Sequence, residues 1–155
     1  MSQEPRLNYQ KAAPRSAQAL VTFSRNAAPS LDLKLRELVN LRVSQINGCA
    51  FCMDMHAAAL LKAGVDQRVL NTVAGWREAS RLFSPRECAA LQWAEAVNAL
   101  PQRTPTDQEF AQAREQFKDE ELAELTFAIT AIRAWNMLNA AFHMPIPAVP
   151  YAVTE

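Results

Sequence analysis

Proline placement does most to constrain this chain. Pro14, Pro29, Pro85, Pro101 and Pro105 divide its body, and Pro145, Pro147 and Pro150 crowd its end. The stretches between them are rich in Ala, Leu, Glu and Arg, which favour helix. Proline breaks a helix interior but suits a first turn, so the chain reads as a series of helices with marked ends. The first runs from near Pro14 to Ala27, with Leu20, Phe23 and Ala27 on one side. Ser30 is expected to cap a second, with Asp32 in its first turn, ending near Asn47-Gly48. A third starts at or beside Cys49 and stops at Gly64, after Lys62. Asp66 caps a shorter helix, interrupted around Gly75. Ser84-Pro85-Arg86-Glu87 is a capping box that opens a helix ending before Pro101, and Thr106-Asp107-Gln108-Glu109 is another. A last helix from about Asp119 to Phe142 carries Leu122, Leu125, Ile129, Ile132, Trp135 and Leu138 at steps of three and four.

One segment departs from this pattern. Val39-Asn40-Leu41-Arg42-Val43-Ser44 alternates as a half-buried strand does. Nothing else in the chain offers a partner strand, and an isolated strand leaves its backbone groups unpaired. It is therefore read as a helix buried on several sides. The expectation is an all-α, single-domain helical bundle of about six or seven helices over residues 1–155. A Pro-rich tail at 144–155 is expected to lie across a surface or a neighbour.

Composition narrows the function. Sixteen Lys and Arg balance sixteen Asp and Glu, a formal net charge of zero, which argues against a nucleic-acid binder or a polybasic membrane protein. Half the residues are hydrophobic and 21% are charged, so the chain is not intrinsically disordered. With Gly48, Gly64 and Gly75 alone, no Gly-rich phosphate loop can be written. No apolar run reaches a membrane span, and Met1-Ser2-Gln3-Glu4-Pro5-Arg6 lacks the apolar core of a signal peptide. The expectation is a cytoplasmic protein with no nucleic-acid or membrane partner. Three cysteines, two of them close together, suit a redox or metal site better than a disulfide scaffold.

The chemistry gathers at Cys49-Ala50-Phe51-Cys52-Met53-Asp54-Met55-His56. His56 is four residues after Cys52, on the same helical face, within reach of it directly or through one water. A thiolate is favoured by a helix N-terminus and by a neighbouring His, and this segment offers both. Cys49 and Cys52 are spaced for a CxxC disulfide, the pattern of a dithiol that cycles. If the helices on either side of Asn47-Gly48 fold back on each other, residues equidistant from the turn sit side by side. Glu37 is then roughly 16 Å before the turn and His56 roughly 13 Å after it, at 1.5 Å per residue. A carboxylate beside an imidazole fixes its tautomer and raises its basicity. The expected order is Glu37–His56–Cys52, with Cys49 as the second thiol.

Glu37, Cys49, Cys52 and His56, at E-x11-C-x2-C-x3-H spacing, resemble the alkylhydroperoxidase D-like branch of the carboxymuconolactone decarboxylase family. The resemblance extends to Leu41-Arg42-Val43-Ser44-Gln45-Ile46-Asn47-Gly48 and to Ala134-Trp135-Asn136, covering about residues 9 to 143. It implies an all-helical subunit, assembly into homotrimers or homohexamers, and thiol-dependent reduction of peroxides; dithiol chemistry of this kind is expected to need no metal, flavin or haem. It also implies that Cys52 is the peroxidatic thiol and Cys49 the resolving one, with His56 and Glu37 as proton relay. The partners implied are a peroxide substrate and an external thiol or dithiol reductant. Two positions depart from the family pattern. Phe51 stands where some members carry a second His, and Met137 stands where an Arg often follows the Trp-Asn pair.

Other readings compete. Cys49, Cys52, His56 and Glu37 could in principle hold zinc, although structural zinc favours Cys/His sets. A c-type haem is excluded because Met53 follows the second Cys. Cys88 reads as an inert core thiol and His143 as structural. Trp76, Trp93 and Trp135 read as core or subunit-contact anchors, and Phe51 as a partial screen against water or a packing residue. Two functional rivals remain: a non-redox enzyme of the decarboxylase type using His56 and Glu37, and an oligomeric redox sensor whose CxxC does not turn over.

Overall fold

The computed structural model describes residues 4–149. The first three residues and the end of the tail, Tyr151 included, lie outside the described residues. Eight α-helices and no strand occur among the described residues: α1 (Tyr9–Ala12), α2 (Pro14–Asn26), α3 (Leu33–Asn47), α4 (Ala50–Lys62), α5 (Gln67–Thr72), α6 (Pro85–Asn98), α7 (Asp107–Arg114) and α8 (Asp119–Ala141). Short 3-10 turns at Val73–Gly75 and Ser80–Leu82 lead from α5 to α6, which is how the interruption expected near Gly75 is realised. The all-helical expectation holds.

Helix α3 is the centre of the bundle and packs on α4, α6 and α8. Its sequence alternates because two of its faces are apolar. Leu35, Val39 and Val43 enter a core with Leu125, Ile129 and Trp93. Leu38 and Leu41 enter a second core with Leu60, Val73, Trp76, Phe83 and Leu91. Four-residue steps on one face and a three-residue step on the other interleave into a strand-like pattern.

Two local expectations need correction. The cap of α3 is Asp32, whose side chain accepts from Leu35 N at 2.9 Å. Ser30 is occupied elsewhere: its backbone N–H donates to Glu124 Oε2 at 2.8 Å, and its hydroxyl binds the same oxygen. Helix α1 was not anticipated. It is capped by Asn8, whose side chain accepts from Lys11 N at 3.1 Å, and buried Tyr9 ties it to α8 through its ring contact with Trp135. Both capping boxes form as expected, Ser84 with Glu87 and Thr106 with Glu109. No helix among the described residues is long and apolar enough to cross a membrane.

Gly48 makes the hairpin that positions the site. It closes α3 in the left-handed region, at φ 68°, where an L side chain is costly. Cys49 N–H then returns to Ser44 O at 3.0 Å, and α4 begins one residue later.

Candidate active site

The hairpin brings Glu37 on α3 beside His56 on α4. Glu37 Oε2 and His56 Nδ1 are 2.6 Å apart, and the two residues are only 3% and 5% exposed. A carboxylate accepting at Nδ1 places the proton there in the neutral ring, so the free lone pair is on Nε2. That Nε2 is buried and has no hydrogen-bond partner. An unpartnered buried nitrogen is costly in a finished core and expected of a base that awaits a proton. The other carboxylate oxygen, Glu37 Oε1, has Asn40 Nδ2 at 3.4 Å and Arg36 Nε at 3.8 Å.

Cys49 and Cys52 are joined as a disulfide with Cα atoms 5.3 Å apart, inside the usual range for such a bond. Cys49 is the N-cap of α4, and its Sγ accepts from Cys52 N at 3.3 Å. Both cysteines are buried, at 2% and 0% exposure. The structure therefore brings together the carboxylate and imidazole, and separately the two sulfurs. It makes no hydrogen bond between His56 Nε2 and either sulfur.

A cavity of about 520 Å³ opens at the dyad. Glu37, His56, Asn40 and Arg36 supply part of its polar wall, and Ile132 and Trp135 part of its apolar wall. Neither cysteine is among its lining residues. Trp135, read from sequence as an anchor, also forms cavity wall, and its indole N–H donates to Ser24 Oγ at 2.7 Å. Trp76 and Trp93 are buried in the core as expected. Phe51 is half-buried against the larger core.

Sequence reasoning missed the amides that surround the hairpin. Asn47 Nδ2 donates to Asn98 Oδ1 at 3.1 Å and to Asn136 Oδ1 at 3.0 Å. Asn98 Nδ2 returns to Asn47 Oδ1 at 3.0 Å, and Asn136 Nδ2 donates to Ser44 Oγ at 3.0 Å. This knot ties the residue before Gly48 to α6 and α8. Asn139 Nδ2 donates to Cys52 Sγ at 3.3 Å. The available signal was Asn136 and Asn139 three apart, on the apolar face of α8. The remaining cysteine is set apart: burial first, then the neighbouring Glu87 carboxylate, push the Cys88 thiol above its ordinary value, which disfavours its thiolate. No group of three or more His, Cys, Asp or Glu side chains among the described residues is arranged to hold a metal.

A helical hairpin that seats a Glu–His pair one turn from a CxxC disulfide defines a class of dithiol-bearing helical proteins. Residues 14–96 match the carboxymuconolactone decarboxylase family, and the chain belongs to it. It is 32% identical over 137 residues to an uncharacterised protein, YdfG, of Bacillus subtilis, covering 88% of this chain and 92% of that one. A 47-residue stretch is 47% identical to the alkyl hydroperoxide reductase AhpD of Coxiella burnetii, covering 30% of this chain and 27% of that one. Among solved structures, ATU0492 of Agrobacterium tumefaciens superposes with a TM-score of 0.89 at 34% identity, over 94% of this chain and all of that one. It is described as a protein of unknown function and a candidate antioxidant-defence protein AhpD.

Proposed function

We propose that this protein is a thiol-dependent alkyl hydroperoxidase and disulfide reductase. The observation that carries the reading is the buried Glu37–His56 pair, with its free Nε2, one helical turn from the Cys49–Cys52 disulfide. In the reduced protein His56 takes the Cys52 thiol proton, directly or through one water, and Glu37 stabilises the imidazolium. The thiolate attacks the terminal peroxide oxygen, an S–O bond forms, and the O–O bond breaks. The alkoxide takes the proton from His56 and leaves as the alcohol. Cys49 then attacks Cys52 sulfur, forming the disulfide and releasing water. An external dithiol returns the pair to two thiols by exchange. This reading requires no metal, flavin or haem. It places the work in the cytoplasm, in a homotrimer or homohexamer.

The test is steady-state consumption of an organic hydroperoxide with a dithiol donor, measured on the parent and on each single cysteine variant. Turnover that requires both Cys49 and Cys52 supports the reading. Disulfide formation without turnover favours the sensor.

A second reading has one observation in its favour: the cavity is lined by Glu37 and His56 but by neither sulfur. That suits a non-redox enzyme in which the dyad moves protons on a substrate held in the cavity. Activity that survives loss of both thiols decides for it.

A further inference from the structure

Cys52 Sγ has a polar side-chain contact that does not involve the Glu37–His56 pair. Asn139 Nδ2 on α8 donates to Cys52 Sγ at 3.3 Å, and Tyr9 OH on α1 donates to Asn139 Oδ1 at 2.8 Å. All three residues are buried. A reduced Cys52 whose sulfur keeps this position meets the same amide. With Oδ1 taken by the Tyr9 hydroxyl, the amide presents its N–H donors to the sulfur. A donor of this kind bonds an anionic sulfur more strongly than a neutral one, and so favours ionisation. The rest of the neighbourhood opposes it: Cys52 belongs to an apolar core with Val39, Leu125 and Ile129, and desolvation disfavours a charge. The ionisable groups about the pair are Cys49 and His56 on α4, Glu37 on α3 and Tyr9 on α1. Helix α5 faces α4 with apolar Val69 and Leu70, and α8 brings the neutral amide.

We propose that Asn139 stabilises the Cys52 thiolate alongside the Glu37–His56 pair, and that Tyr9 is the positioning residue that keeps the amide N–H toward the sulfur. The proposal rests on reading Cys52 as the nucleophile. Both residues lie outside the family match at 14–96, so the four-residue helix α1 is wired to the redox centre from beyond that segment.

The test uses Cys49→Ser/Cys88→Ser protein, in which Cys52 is the sole thiol, titrated by its thiolate absorbance. Asn139→Leu is expected to raise the ionisation midpoint by about one unit, the equivalent of one charge-assisted hydrogen bond. The first oxidation by an organic hydroperoxide then slows roughly tenfold at neutral pH and converges with the parent at high pH. Tyr9→Phe, which removes only the hydroxyl, gives a smaller rise. Unchanged midpoints in both folded variants overturn the proposal. If Asn139→Leu does not fold, Tyr9→Phe decides, and an unshifted midpoint overturns the chain from Tyr9 to sulfur. The titration needs no peroxide. A Cys52 that ionises but is inert to hydroperoxide defeats the peroxidase reading, while the midpoints still judge Asn139.

Discussion

Glu37 and His56 are nineteen positions apart and meet at 2.6 Å in a buried pair that commits one imidazole nitrogen and leaves the other free. Glu37→Gln preserves the shape and removes the charge. The expected loss of peroxidase rate is about 10²-fold, with the fold unchanged. His56→Gln costs at least as much, and the double variant little more than His56→Gln alone, because the pair acts as a unit. Raising the pH partly rescues all three by ionising Cys52 without a base. A wild-type rate and pH profile in Glu37→Gln reduces Glu37 to a packing residue.

The cysteines divide the work. Cys52→Ser abolishes peroxidase activity, whereas Cys49→Ser retains one stoichiometric oxidation and traps a sulfenic acid or mixed disulfide, read by mass spectrometry. Cys88→Ser changes neither. Cys49 caps α4 and receives its N-terminal field, which also favours a thiolate. The opposite pattern, with Cys52→Ser still oxidised once and Cys49→Ser inert, reverses the two roles.

Gly48→Ala tests the hairpin. A Cβ at this position meets no atom within 4 Å, so the cost is conformational alone, about 1–2 kcal/mol for an L residue in the left-handed region. Denaturant midpoints measure it. An unchanged midpoint shows that the turn relaxes to another conformation.

Glu95 is one source of acid sensitivity. Burial pushes its carboxyl up, but Arg42, Arg77 and Trp76 overcome this and hold it below the usual value. Arg42 Nε is at 2.7 Å, Arg77 Nη1 at 2.5 Å and Trp76 Nε1 at 3.0 Å. A folded value below the unfolded one contributes stability that is present above the unfolded value and lost as pH falls through the folded value. Glu95→Gln therefore destabilises the protein at neutral pH, by about 1–3 kcal/mol. The penalty shrinks as the pH is lowered into that acid range. Unfolding curves for both proteins across that range show convergence or rule it out.

Helix α8 exposes Phe127 and Met137, side chains that assembly would cover. Light scattering at micromolar concentration is expected to give a trimer or hexamer, and Met137→Lys or Phe127→Glu to shift it toward smaller species. A monomeric parent ends the assembly proposal.

Much of this arrangement is legible in the sequence because it rests on local rules. Capping boxes, proline positions and the Asn-Gly turn mark helix ends, and the comparable distances of Glu37 and His56 from the turn foretell their pairing. What escaped was long-range. Ser30 is as good a cap as Asp32 by local chemistry, and only Glu124, on another helix, decides between them. Tyr9 and Asn139 are 130 positions apart, and no periodicity links them. The route from His56 to sulfur escaped for another reason: helical spacing puts both on one face without fixing where the ring nitrogen points.

The amide knot has a kinetic consequence. Asn47 grips α6 and α8 at once, so the turn before Cys49 cannot fray by itself. Baring the sulfurs then means loosening three helices together, a rare sub-global fluctuation rather than local breathing. The cavity offers no detour, because neither sulfur lines it, so narrow and bulky reagents alike would be paced by the fluctuation. Reactivity at this dithiol would thus be set by the firmness of the knot as much as by the chemical potency of the reagent.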